Sequence, residues 1–181
     1  MNEAIFLTKR ALMLKKLSFI AMLAMLSACS LSSYVPFMGN DKPVINLDKD
    51  KIDQKSYAVA YASTVQSYNG RITEDYDVNS FASGANDWYL GRILVPTEQI
   101  RARLGSGLDS KLHAYYSGVI FAADLQTNFS RLSATCWSKV DTQSMTQGIY
   151  DAVIDLRKGK VRGENDEYIT KGSEELLNLC K

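Results

Sequence analysis

Apolar residues recur along this chain at helical rather than alternating spacing. Tyr57, Tyr61, Thr64, Val65 and Tyr68 stand at i, i+4, i+7, i+8 and i+11, one face of a helix running from Asp53 to a stop at Asn69-Gly70. Asp77 then offers a cap, and Val78, Phe81, Ala82, Ala85, Trp88 and Tyr89 follow at helical spacing until Gly91. Thr97 predicts the cap of a short third helix, with Ile100 and Leu104 on its apolar face and Gly105 at its end. A fourth segment opens at Asp109 and runs to about Ser133 with Leu112, Tyr116, Val119, Ala123 and Thr127 as its stripe, widened by Tyr115, Ile120 and Phe121. Asp141 opens a fifth, where Met145, Ile149, Val153 and Leu156 recur before Arg157, Lys158 and Gly159. A charged turn leads to a last helix carrying Ile169, Leu176, Leu179 and Cys180. Period-two alternation is nearly absent, so the predicted fold class is all-α: a single compact domain of five to six helices over residues 54–181.

Two departures from this pattern lie upstream. Ser30 to Asp53 mixes Pro36, Gly39, Asn40 and Pro43 with the charged run Asp48-Lys49-Asp50-Lys51; such a segment buries too little apolar surface to offset its ordering entropy and is expected to be a flexible tether. Tyr34, Val35, Phe37 and Met38 interrupt its polarity, as residues that dip into a membrane interface or dock on the domain would. Before it, Lys15 and Lys16 precede an apolar run from Leu17 to Leu26, then Leu26-Ser27-Ala28-Cys29. Basic residues, an apolar stretch of about 7–15 residues and small residues at a cut make a secretory signal. The run is about half of the roughly 20 residues a transmembrane helix needs.

Leu26-Ser27-Ala28-Cys29 resembles the lipobox of bacterial lipoprotein signals. That resemblance implies removal of residues 1–28 and lipidation of Cys29 with a thioether-linked diacylglycerol and an amide-linked acyl chain, and no other cofactor is expected. Stable anchoring takes at least two lipid signals, which such a cysteine supplies. Ser30 rather than aspartate follows Cys29; by resemblance to enterobacterial lipoproteins this sorting position implies the outer membrane, on its periplasmic face.

The anchor changes how charge and cysteines are read. Without Lys9, Arg10, Lys15, Lys16 and Glu3, the 21 basic and 20 acidic residues become 17 and 19, a net charge of −2. No basic run survives, which argues against a nucleic-acid partner. Cys136 and Cys180 are left as the one pair in an oxidising compartment and are expected to form a disulfide. Free thiols or a metal site compete with that reading, but two cysteines and the lone His113 are too few for a zinc cluster.

Catalysis finds little support. His113 stands on a helix beside Tyr115 and Tyr116, no G-x-S-x-G elbow occurs, and Glu164, Asp166 and Glu167 lack the ligand spacing of a calcium loop. The expectation is therefore a protein without enzymatic activity, catalytic residues or bound metal. Ten tyrosines and two tryptophans instead suit protein contacts. Tyr57, Tyr61 and Tyr68 on one helix face form a candidate dimerisation surface.

Two further resemblances bear on partners. Tyr115-Tyr116-Ser117-Gly118-Val119-Ile120-Phe121-Ala122-Ala123-Asp124, then Cys136, Gln143 to Leu156, and Leu176 to Cys180 resemble the immunity proteins of type VI secretion amidase effectors, with Trp137 standing where that family often has proline. The resemblance implies a periplasmic inhibitor of a cell-wall-degrading effector, with Tyr115, Tyr116, Gly118, Trp137 and Asp141 as candidate partner-binding residues. Lys55 to Tyr61, Asp77 to Gly84 and Thr97 to Ile100 are similar to the helical N-terminal dimerisation region of macrophage-infectivity-potentiator-type prolyl isomerases. That implies a homodimeric envelope scaffold or assembly factor, without isomerase activity.

Overall fold

Aspartates open five of the six helices in the computed structural model, which describes residues 43–163 and 165–181. The signal segment, Cys29, Ser30 and the tether up to residue 42 lie outside the described residues. The helices are α1 (Gln54–Tyr68), α2 (Val78–Tyr89), α3 (Thr97–Leu104), α4 (Ser110–Leu132), α5 (Thr142–Lys158) and α6 (Glu167–Leu179). Carboxylates of Asp53, Asp77, Asp109, Asp141 and Asp166 accept first-turn N–H groups of α1, α2, α4, α5 and α6, each cap contributing about 1 kcal/mol. The exception corrects the sequence reading. Pro96, not Thr97, holds the cap position of α3 in an extended conformation, and the Thr97 hydroxyl bonds Glu98 instead. Gly159 ends α5 at φ 63°, where a side chain would be strained. No strand occurs among the described residues.

α1 and α5 run side by side in the same direction, and their N-termini cap each other. The Asp53 N–H donates to Ser144 Oγ at 2.8 Å, while the Asp141 N–H donates to Ser56 Oγ at 2.9 Å. Further along, Tyr57 and Tyr61 donate their hydroxyls to Asp151 and Asp155, both at 2.8 Å. Matching four-residue steps on the two helices lock their register. The end of the segment expected to be a tether joins this pair: the Leu47 N–H donates to Gln147 Oε1 at 2.9 Å.

α6 packs on α1, α2 on both α4 and α5, and α3 on α4. The α2–α4 crossing is backbone-close because glycines meet there. A Cβ on Gly118 would lie 1.9 Å from the Phe81 carbonyl oxygen, and one on Gly84 would lie 2.0 Å from that of Tyr115. Phe81, Met145, Ile149, Val153 and Leu176 fill the main core, and Tyr57, Tyr61, Ala152 and Ile169 a smaller one. The Cys136–Cys180 disulfide ties the turn after α4 to the end of α6.

Candidate protein-binding groove

α1 and α4 do not pack along each other, and the seam between them is an open groove of about 480 Å³. Its base is formed by Ile120, Phe121 and Leu125 of α4, each only 7–8% exposed, beside Tyr68 of α1. Beneath it, the Tyr68 ring stands edge-on to Phe81 (4.9 Å) and Phe121 (5.5 Å), an arrangement aromatic quadrupoles favour. Burial holds the Tyr68 phenol protonated well above its ordinary range. The groove is thus floored by rings fixed in the core rather than by loose side chains.

Polar groups form the rims. Ser63, Gln66 and Ser67 come from the last turns of α1, and Asn128 from α4. None of these four side chains hydrogen-bonds another group among the described residues. At one end Arg101 of α3 bonds Asp124 of α4, and Arg71, just past α1, adds a second guanidinium. Arg71 is exposed and forms no salt bridge among the described residues. A narrow apolar base, a rim of free donors and acceptors, and a spare positive charge suit non-covalent recognition. Among the described residues no group of three or more His, Cys, Asp or Glu side chains could hold a metal ion, and none of their helices is long and apolar enough to cross a membrane.

The expected dimerisation face is corrected by burial. Tyr57 and Tyr61 are 2% and 1% exposed, their hydroxyls held by α5 and their rings covered by the Arg162 guanidinium at 5.7 and 5.4 Å. Tyr61 also accepts the Arg162 N–H at 2.9 Å. The stripe is therefore the α1–α5 seam inside the domain, and of the three residues only Tyr68 reaches a surface feature, the groove floor.

The residues expected to bind a partner likewise do not form one exposed patch. Tyr115 is buried, donating to Asp87 at 2.9 Å; this carboxylate, itself buried, is also met by Arg92 at 3.1 Å. Gly118 is buried in the α2 contact. Tyr116 is half-buried with its ring against that of Tyr115, and Trp137 is half-buried between Tyr89 and Phe129. Asp141 is exposed but spent on the α5 cap. His113 is exposed on the first turn of α4. The groove uses a later stretch of α4, Ile120 to Asn128. Its signal in the sequence was the extra width that Ile120 and Phe121 give to the α4 stripe.

Comparison with known proteins supports the reading of the chain as a lipoprotein. No solved structure matches the chain. It is 61% identical over 173 residues to an "Uncharacterized protein" of Haemophilus influenzae (strain ATCC 51907 / DSM 11121 / KW20 / Rd), covering 93% of this chain and 97% of that one. A family model described as "Uncharacterised lipoprotein" matches residues 50–181, which contain all six helices and the whole groove. The chain belongs to this lipoprotein family.

Proposed function

We propose that the protein is a lipoprotein held by acylated Cys29 at the periplasmic face of the outer membrane, and that its helical domain binds another protein in the α1–α4 groove without catalysing a reaction. The lipobox and Ser30 support the address. One observation carries the binding role: an open groove of about 480 Å³ lies between α1 and α4, rimmed by Ser63, Gln66, Ser67 and Asn128 and flanked by the exposed Arg71. The inhibitor of a cell-wall-degrading effector and the envelope assembly factor differ, in this reading, only in which protein fills the groove.

Photocrosslinking in living cells tests it. A benzophenone amino acid at Gln66 or Asn128 is expected to give one discrete protein adduct, absent when the probe stands at Lys171 on α6. No adduct from either groove position, or the same adducts from all three, would overturn the reading. Mass spectrometry of the adduct then tells an effector from an assembly component.

A further inference from the structure

The groove's own chemistry narrows its occupant, an inference that rests on the protein-binding reading above. Two guanidiniums and one carboxylate face it. Asp124 is already bonded to Arg101, so the charge left over is Arg71, exposed and without a salt bridge among the described residues. On a mature chain of net charge −2 this is a local positive spot that attracts anionic rather than cationic partners. Ser63, Gln66 and Ser67 on α1 and Asn128 on α4 offer both donors and acceptors of the kind a peptide backbone can use. Ile120, Phe121 and Leu125, each 7–8% exposed, leave a narrow apolar strip at the base. A volume of about 480 Å³ holds a few residues, within the range of about 300–1,000 Å³ usual for small-ligand sites.

We propose that the groove recognises a short acidic peptide segment of its partner, seating an apolar side chain on Ile120, Phe121 and Leu125 and pairing a neighbouring carboxylate with Arg71. Glycan fits less well, because the Tyr68 ring is taken up in T-shaped contacts with Phe81 and Phe121. A lipid tail would leave the four polar rim side chains facing hydrocarbon unpaired, which is costly.

The full-length protein in detergent, panned against a phage-displayed random dodecapeptide library, tests this. The expected winners carry Asp or Glu within a few positions of Leu, Ile or Phe. Binding of a synthetic winner, read by fluorescence polarisation, should weaken roughly two- to fivefold in Arg71→Ala and about tenfold or more in Arg71→Glu. It should also weaken as salt is raised. Asn128→Trp, a bulky change at an exposed rim position, should block it too, with the melting temperature of every variant unchanged. No enrichment, enrichment of basic or neutral peptides, indifference to Arg71→Glu, or displacement of the peptide by a disaccharide-tetrapeptide of peptidoglycan would overturn it. The two readings fail separately. Acidic peptide binding without an in-cell adduct removes the cellular role and leaves the groove's chemistry, whereas an adduct indifferent to Arg71→Glu does the reverse.

Discussion

Adding one methyl group where α2 crosses α4 should damage the domain out of proportion to its size. In Gly118→Ala the new Cβ would meet the Phe81 carbonyl oxygen at 1.9 Å and its carbon at 2.8 Å, both backbone atoms that no rotamer can move aside. Ordinary contact begins at 3.4 Å, so the helices must separate by roughly 1.5 Å, and a gap of about 0.5–1 Å already forfeits a quarter to a half of the dispersion energy across a contact. Overpacking of this kind costs about 1–3 kcal/mol or more, offset by about 0.5–1 kcal/mol from alanine's better helix propensity. The net is a loss of about 1–2 kcal/mol, a melting temperature lower by roughly 3–10 °C for a domain of this size. Thermal denaturation followed by circular dichroism measures it. Gly105→Ala is the control: nothing stands within 4 Å of its Cβ, its φ of −85° suits any residue, and its melting temperature should stay within about 2 °C. Gly84→Ala repeats the clash from the other side, at 2.0 Å from the Tyr115 carbonyl oxygen. One separation relieves both clashes, so the double variant should lose clearly less than the sum of the singles. An unchanged or raised melting temperature in Gly118→Ala would refute this packing.

Three further outcomes follow. Replacing Cys136 and Cys180 by serine opens a loop of 44 residues and should cost about 4 kcal/mol on the chain-entropy argument, read as a lower urea midpoint. Tyr61→Phe leaves Asp155 and the Arg162 N–H without their hydroxyl partner and should cost about 1–2 kcal/mol in urea unfolding. Alkali should also unfold the domain early. Burial pushes the Tyr61 and Tyr76 phenols up to about 12 from an ordinary 10.0. The folded state keeps protons that the unfolded state releases, so stability holds below pH 10 and falls as pH rises toward about 12. A urea midpoint flat across that window would contradict the burial of these phenols.

The helices were legible because local chemistry defines them. Asp77, Asp109 and Asp141 announced their starts, and Gly159 announced a stop. Thr97 misled because the proline before it takes the extended cap conformation itself, which the residue types alone do not decide. Pairings between distant helices were not legible. Tyr57 and Tyr61 looked like an interface stripe, since any amphipathic aromatic suits either a surface or a seam. The matching step of Asp151 and Asp155 was the available clue, as were Asp53-x-x-Ser56 and Asp141-x-x-Ser144, the two starts that cap each other. The groove lies further out of reach. It arises from two helices that meet at Tyr68 and Phe121 but do not pack along each other, and it takes Arg71 and Arg101 from segments about 30 residues apart.

Whether the α1–α4 seam is covered in the cell tests the central claim most directly. Single cysteines at Ser67, Asn128 and, as control, Lys171 can be labelled with a maleimide that enters the periplasm, in intact cells and on the purified protein. The account predicts that Ser67→Cys and Asn128→Cys react several-fold more slowly in cells than when purified, while Lys171→Cys reacts at one rate in both. Equal rates at all three positions would contradict it.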